Sequence, residues 1–267
     1  MLQLGLIGRK LGHSHSPGIF STIRKNSGIA LSYRLFELAS LEEFDAFLAK
    51  HPTLTGFNVT IPYKTALLPY LHAWSEAVEQ IGAVNTVRIL SDGRLAGFNT
   101  DYLGFAADLA AALGEETVKR VLVLGNGGSA KAIRYALEEQ FGLRPQAIDT
   151  ASRSPEPEQQ LHVIDYATAS ERLASYDLVV NTTPAGMHPA PQAAPPLTLQ
   201  RLRASTLLYD LIYNPPTTTL MRAFAARGCS VMNGAGMLQK QAEAAFEYWR
   251  MPEQDLPPLQ QNPHSRG

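Results

Sequence analysis

Cysteine is almost absent from this sequence, and neither sign of charge is in excess. The 267 residues include a single cysteine, Cys229, so no disulfide can form within the chain and a reducing cytoplasm fits the composition. There are 23 Lys and Arg residues against 24 Asp and Glu residues, which leaves a net charge of −1. This balance gives no electrostatic reason to expect nucleic acid or an acidic membrane surface as a partner.

Long apolar runs and clusters of metal ligands are missing as well. No apolar stretch reaches membrane-spanning length, and Met1 leads directly into the strand-like LQLGLIG, without the charged start and cleavage site of a signal peptide. The 7 histidines and the cysteine never come together at ligand spacing, so we expect no metal. A hydrophobic fraction of 45% over 267 residues predicts real cores and leaves room for two domains.

A glycine-rich turn near the middle of the chain is the clearest motif. The apolar run 121–124 has the length of a buried strand, and apolar residues recur at helical spacing over 130–141. Strand, glycine turn and helix in this order predict the start of a dinucleotide-binding βαβ unit. Gly125 permits the tight turn, and Gly127 lets backbone N–H groups approach a pyrophosphate at the start of the helix. An ordinary tight turn is the alternative.

The pattern of strands and helices divides the chain in two. The pattern over residues 1 to about 100 predicts an N-terminal α/β domain that ends in a hairpin over 84–98. A helix over 101–114 then leads into a region, 101–235, in which strands alternate with helices. That alternation predicts a doubly wound parallel sheet of the Rossmann type. The Pro- and Gln-rich tail, 252–267, is predicted to fray.

Polar side chains follow several of the predicted strands, where ligands bind in open parallel sheets. Ser14 and Ser16 follow the first strand, Lys64 follows a later one, and Asp101 follows the hairpin. One lysine, one aspartate and many hydroxyls and amides suit a polyhydroxylated acid beside a nicotinamide, with the lysine moving the proton. By spacing alone, Ser16 fits an N-cap before Pro17 as well as it fits a ligand, whereas the spacing favours a helix cap for Asp101 and a surface lysine for Lys64.

Seven motifs, in order between about residue 4 and residue 249, resemble those of the shikimate dehydrogenases. They are HSHSP at 13–17, NVTIPYK at 58–64, GAVNT at 82–86, NTD at 99–101, NTTPAGM at 181–187, YDLIYNP at 209–215 and GMLQKQ at 236–241. The resemblance implies an N-terminal substrate domain, an NADP-binding domain and a last helix, 236–250, that packs back on the first domain.

The same resemblance implies an activity and a set of site residues. The activity is the reversible, NADP-linked reduction of 3-dehydroshikimate to shikimate, with Lys64 and Asp101 as the catalytic pair. Ser14 and Ser16 are expected to hold the substrate carboxylate. Further expected contacts to the substrate are Thr60, Asn85, Tyr213 and Gln241, and those to the cofactor are Gly125, Asn126, Gly127, Gly128, Ser129, Ser152, Arg153, Leu211 and Gly234.

The chain departs from the family pattern at a few positions. The family usually has Asp-Asn-Thr-Asp-Gly, whereas Phe98 and Tyr102 stand here in place of the first aspartate and the glycine. Where the family usually has Gly-Leu-Gly-Met, this chain has alanine, Ala235, in place of the leucine. Asp101 itself is kept, so these departures concern the shape of the cleft and the range of substrates.

The residues after the second predicted strand of the dinucleotide domain bear on the choice of cofactor. An NAD site usually has an acid at the end of this strand. Here the strand, 146–151, is followed by Arg153 between two serines, and Asp149 lies too early to face the ribose. Arg153 offers a fork of donors to a phosphate, whereas Glu156 and Glu158 would repel it. We therefore predict NADP, read mainly by Arg153.

Two other functions stay open at this point. One is an NAD-preferring quinate/shikimate dehydrogenase. The other is a non-catalytic dinucleotide-sensing module, whose expected mark is the loss of Lys64 or Asp101, and both are present. In each case the expected partner is a small molecule, with no nucleic acid or membrane, and the chain is expected to act as a monomer or homodimer.

Overall fold

The computed structural model describes residues 1–154, 162–263 and 265. The chain divides into two compact units, of which the first comprises Met1–Gly104 with Gln239–Gly267 and the second comprises Phe105–Leu238. Both boundaries between the units fall inside helices, so the chain passes from one unit to the other in helical conformation. Among the described residues, every helix is too short or too polar to cross a membrane.

Strands and helices follow one another along the whole of the described chain. The strands are β1 (Leu2–Gly8), β2 (Leu31–Glu37), β3 (Gly56–Val59), β4 (Ala73–Ser75), β5 (Thr86–Ile89), β6 (Leu95–Phe98), β7 (Val121–Leu124), β8 (Ile148–Ala151), β9 (Val163–Ile164), β10 (Leu178–Asn181), β11 (Leu207–Asp210), β12 (Val231–Asn233) and β13 (Leu259–Gln261). The helices are α1 (Ser16–Ser27), α2 (Phe44–Lys50), α3 (Tyr63–Ala66), α4 (Glu76–Ile81), α5 (Asp101–Leu113), α6 (Gly128–Glu139), α7 (Tyr166–Glu171), α8 (Thr219–Ala225) and α9 (Ala235–Arg250).

The sheet of the first unit is mixed, with the order β13-β4-β6-β5-β3-β1-β2. β1 lies between β2 and β3 and is parallel to both, while β5 is antiparallel to β3 and β6. The carboxyl ends of β1 and β3 therefore lie at one edge of the sheet. The polar segments 13–16 and 60–64 both begin at this edge.

Helix α9 completes the hydrophobic core of the first unit. Its buried Phe246 and Trp249 cluster with Leu4 of β1 and Phe20 of α1. The Trp249 indole N–H donates to the carbonyl of Val87 at 2.9 Å. A methyl group on Gly56 would collide with the same indole. The glycine at this position of β3 therefore makes room for α9.

The sheet of the second unit has the order β12-β11-β10-β7-β8-β9, and each pair of neighbours is parallel. This confirms the predicted parallel, Rossmann-type sheet. All four residues of β7 are buried, as the apolar run predicted. β7 lies between β8 and β10, so the strand order reverses there, and the crevice at its carboxyl end is where such folds bind ligands.

The tail of the chain differs from its prediction. Leu259–Gln261 pair antiparallel with Ala73–Ser75, and the Asn262 amide donates to the carbonyls of Leu68 and Leu71 at 3.1 and 2.7 Å. The expected fraying of 252–267 is therefore wrong for these residues, because strand β4 offers backbone partners that composition does not reveal. Residues 264, 266 and 267 lie outside the described residues.

Candidate active site

Lys64 and Asp101 form a close ion pair in the first unit. The Lys64 ammonium lies 2.7 Å from Asp101 Oδ2, and the two side chains are 18% and 9% exposed. Lys64 is carried by the short helix α3 after β3, and Asp101 is the first residue of α5 after β6. Asn99 Oδ1 accepts a hydrogen bond from the Asp101 backbone N–H at 3.1 Å, at the first residue of this helix.

An amide orients the carboxylate of Asp101 from the other side. Asn85 Nδ2 donates to Asp101 Oδ1 at 2.9 Å and lies 3.0 Å from the hydroxyl of Thr100. It is also 3.4 Å from Oε1 of Gln241, which α9 brings back to the site from 156 residues further along the chain. The structure thus brings together Lys64, Asp101, Asn85 and Gln241. A cation, a carboxylate and two amides in one cluster suit the binding and proton transfer of a hydroxylated substrate.

The two serines of the first motif lie next to each other at the start of α1. Ser14 Oγ accepts a hydrogen bond from the Ser16 backbone N–H at 3.3 Å, and Ser16 is buried. The prediction of Ser16 as the N-cap is wrong: Ser16 is already the first residue of α1, and His15 precedes it in the N-cap position without a capping side-chain hydrogen bond. Thr60 follows β3 and packs beside Gly8 at the end of β1.

A second polar group, centred on Asn58, adjoins Asn85; the sequence places Asn58 at a strand end where ligands can bind but assigns it no specific contact. Asn58 Nδ2 donates to the carbonyl of Asn85 and to the hydroxyl of Thr86, at 3.1 and 3.0 Å. Asn58 Oδ1 accepts from the Tyr33 hydroxyl at 2.8 Å. Asn58 and Thr86 belong to the quoted motifs, which could have pointed to them. Tyr33 belongs to none, and no signal in the sequence singles it out.

The glycine turn of the second unit has the backbone that the motif predicts. Gly125 adopts a φ of +101°, which only glycine tolerates easily, and an added methyl group would press on Thr182 and Thr183. Gly127 precedes α6, which contains Gly128 and Ser129 in its first turn. Ala130 is buried at the position of the third glycine.

The residues expected at the cofactor's adenosine end follow β8. The hydroxyl of Ser152 both donates to the Ser154 carbonyl and accepts from the Ser154 N–H, and Arg153 is exposed. Asp149 is fully buried and accepts from the Tyr176 hydroxyl and from Arg120, so its carboxylate is engaged by side chains of the protein. Glu156 and Glu158 lie outside the described residues.

Two other expected cofactor residues come together after β11. Leu211 and Gly234 are in such close contact that a side chain at Gly234 would strike the Leu211 carbonyl. Asp210 fixes this loop by accepting from the side chains of Asn181 and Thr218. Tyr213 follows in the same loop of the second unit, and burial raises the pKa of its hydroxyl, which therefore stays a donor.

The glycine turn also contains a buried acceptor that a bound dinucleotide could satisfy. Asn126 Oδ1 is buried and has no hydrogen-bond partner among the described residues. A buried acceptor without a donor is costly, and the hydroxyls of a ribose would supply one. The start of α6 offers backbone N–H groups and a favourable dipole to a pyrophosphate. Among the described residues, no group of three or more His, Cys, Asp or Glu side chains is placed to hold a metal ion.

The parallel sheet with its glycine turn and the paired Lys64 and Asp101 define an α/β oxidoreductase of the nicotinamide-dinucleotide type. Residues 6–87 match the family model described as the shikimate dehydrogenase substrate binding domain. A relative from Geobacillus kaustophilus, named shikimate dehydrogenase (NADP(+)), is 39% identical over 256 residues, which are 92% of this chain and 91% of its own. The chain belongs to the shikimate dehydrogenase family.

Solved structures agree with this assignment. A chorismate mutase/shikimate 5-dehydrogenase fusion protein from Clostridium acetobutylicum superposes with a TM-score of 0.82 at 35% identity, over 94% of this chain and 91% of that chain. A quinate dehydrogenase from Corynebacterium glutamicum, solved with NAD, gives a TM-score of 0.82 at 29% identity, over 93% of each chain. The fold is therefore common to members with different substrates and cofactors, so the substrate must be argued from the residues.

Proposed function

We propose that this chain catalyses the reversible, NADP-linked reduction of 3-dehydroshikimate to shikimate. The observation that carries the proposal is the ion pair between Lys64 and Asp101, held by Asn85 in a cluster of amides and hydroxyls. A non-catalytic sensing module would have no need of this pair. Taking two charged groups largely out of water has a desolvation cost that their attraction at 2.7 Å need not repay, so stability alone does not account for this pair.

The pair supports the proton transfer of the reaction. A nicotinamide dinucleotide supplies the hydride acceptor for oxidation and the hydride donor for reduction. In oxidation, Lys64 Nζ in its neutral amine form accepts the proton of the substrate hydroxyl as the hydride leaves the carbon, and it becomes an ammonium. In reduction, that ammonium returns the proton to the oxygen that gains negative charge and becomes the amine again. Asp101 orients Lys64 Nζ in both directions, and Asn85 holds Asp101.

The remaining residues are proposed to bind. Ser14 and Ser16 hold the carboxylate, while Thr60, Asn85, Tyr213 and Gln241 contact the hydroxyls or the carboxylate. The glycine turn, with Asn126 and Ser129, binds the pyrophosphate and ribose, and Leu211 and Gly234 border the nicotinamide half. Ser152 and Arg153 bind the phosphate on the adenosine ribose. Asp149 is engaged with Tyr176 and Arg120, so the residues described at the end of β8 include no acid that is free to favour NAD.

Steady-state oxidation of shikimate and of quinate, each with NADP⁺ and NAD⁺, tests the function. We expect the highest kcat/KM for shikimate with NADP⁺. A preference for quinate with NAD⁺ would support an NAD-preferring quinate/shikimate dehydrogenase instead. The similar fold of the quinate dehydrogenase from Corynebacterium glutamicum makes this the second candidate function. No turnover with any of the four pairs, despite binding of NADP⁺, would indicate the sensing module.

We also infer a cytoplasmic enzyme that acts as a monomer or homodimer. The lone, buried Cys229 supports a reducing compartment, since a secreted chain of this size commonly carries disulfides. Light scattering after size-exclusion chromatography distinguishes the two oligomeric states.

A further inference from the structure

Tyr33 lies along helix α1 and touches it at two points. Its ring stacks on Phe20, with centroids 4.0 Å apart and planes 9° from parallel. Its hydroxyl meets the side chain of Ser16, which precedes Phe20 by one helical turn and so lies on the same face of α1. The aromatic stack fixes the ring, and the ring fixes where the hydroxyl lies.

The hydrogen-bond directions around this hydroxyl are determined by its neighbours. Asn58 uses its amide nitrogen to donate to the Asn85 carbonyl and to Thr86, so its oxygen is left as an acceptor. The single hydrogen of Tyr33 goes to that oxygen, at 2.8 Å. Burial raises the pKa of Tyr33 well above its usual range, against the opposing hydrogen bond to Ser16, so the hydroxyl stays protonated. The oxygen of Tyr33 is then an acceptor for the hydroxyl of Ser16.

We propose that Tyr33 is a positioning residue that fixes the hydroxyl of Ser16 for the substrate carboxylate. This role rests on the proposed function, in which Ser16 binds that carboxylate. Without the Tyr33 hydroxyl, Ser16 Oγ is free to turn among its staggered rotamers, and the oxygen of Asn58 loses its donor. Tyr33 thereby joins the carboxylate end of the site to the amides that hold Asp101.

The substitution Tyr33→Phe tests the proposal, because it keeps the stack on Phe20 and removes the hydroxyl alone. We expect KM for shikimate to rise about threefold to tenfold, the range for one lost hydrogen bond, while kcat changes less than about twofold. Discrimination between shikimate and its uncharged methyl ester should fall by a similar factor. Tyr70→Phe is the matched control, since the Tyr70 hydroxyl donates to the Leu41 carbonyl in the same unit.

A double-mutant cycle with Ser16→Ala shows whether Tyr33 acts through Ser16. We expect Tyr33→Phe to add nothing to KM once Ser16 is alanine. If the increases in KM of the two single variants multiply in the double variant, the role of Tyr33 is overturned. An unchanged KM in Tyr33→Phe would overturn it as well. In both cases a wild type that oxidises shikimate leaves the proposed function standing. A fall in thermal stability with KM unchanged would make Tyr33 a structural residue and also overturn it. A wild-type chain inactive on shikimate would overturn both.

Discussion

Lys64 is the residue on which the proposed chemistry depends, since it carries the proton that the reaction gains or loses. We expect Lys64→Ala to lower kcat by roughly 10²–10⁴-fold, the range for a lost acid–base group, with little change in KM. Steady-state kinetics with shikimate and NADP⁺ measure both constants. Lys50→Ala serves as the control, because Lys50 is exposed on α2 in the same unit. A near-normal kcat would contradict the proton-transfer role, and a raised KM with normal kcat would make Lys64 a binding residue.

Arg153 is the residue expected to distinguish the two cofactors. Its guanidinium is exposed after β8, beside the mutually bonded Ser152 and Ser154. We expect Arg153→Ala to weaken NADP binding by about 1.5–3 kcal/mol, the range for hydrogen bonds to charged groups, and to leave NAD nearly unchanged. The kcat/KM values for both cofactors, in wild type, Arg153→Ala and the exposed control Arg144→Ala, check this. Equal losses with both cofactors would mean that the phosphate is read elsewhere.

Among the secondary-structure elements, three strands of the second sheet are joined at their amino ends by Asp177. Its carboxylate accepts from the backbone N–H groups of Lys119 and Arg120, just before β7, at 2.9 and 3.0 Å. It also accepts from Arg203, which precedes β11, at 3.1 Å. Burial acts to raise the pKa of Asp177, but these hydrogen bonds outweigh it and hold the pKa below its ordinary value.

The lowered pKa of Asp177 predicts a pH-dependent contribution to stability. A carboxyl group with a lower pKa in the folded state stabilises that state above the unfolded pKa of about 3.9, and the contribution is lost as pH falls through the folded value. We expect Asp177→Asn to lower the free energy of unfolding by about 1 kcal/mol at pH 7, a modest value because the pair with Arg203 is partly exposed.

Urea unfolding at several pH values measures this difference. It should shrink as the pH falls below about 4, where the wild-type carboxyl group also becomes neutral. Asp255→Asn, at an exposed position of the first unit, is the control. A difference that stays constant down to pH 3 would show that the charge of Asp177 is not its cause.

For the molecule as a whole, the two units differ in how the chain builds them. The second unit is one continuous segment, Phe105–Leu238, with its own six-stranded sheet and core. The first unit needs two segments, because Phe246 and Trp249 of α9 fill its core beside Leu4 and Phe20. Loss of a buried Phe or Trp side chain costs about 3–5 kcal/mol each, comparable with a total stability of about 5–15 kcal/mol.

Fragments of the chain should therefore behave differently. We expect a fragment of residues 105–238 to fold and bind NADPH, whereas a fragment of residues 1–104 stays largely unfolded until a peptide of residues 239–267 is added. Amide dispersion in NMR spectra and near-ultraviolet circular dichroism report folding of each fragment. Cooperative unfolding of the 1–104 fragment alone would contradict the prediction, as would a 105–238 fragment without tertiary structure.

Local patterns in the sequence predicted much of the fold and of the site. The buried run of β7, the positive φ of Gly125 and the parallel second sheet follow from hydrophobic length, glycine spacing and alternation of elements. The pairing of Lys64 with Asp101 could not be read from their spacing, and came from the family resemblance. The short β4, α4 and β12 were not predicted, since segments of 3–6 residues are too short for periodicity to show.

The sequence by itself determined the class of fold, the glycine turn and the residue types of the site, because each depends on neighbours within a few positions. Only the tertiary structure decided that Gln241 lies beside Asn85, that Tyr33 meets Ser16 and Asn58, and that Leu259–Gln261 pair with β4. These contacts join residues far apart in the chain, and each depends on strand register and on side chains that share one face of a sheet. The spacing of residues along one segment shows which of them share a face, but it does not show which residues of a distant segment that face meets.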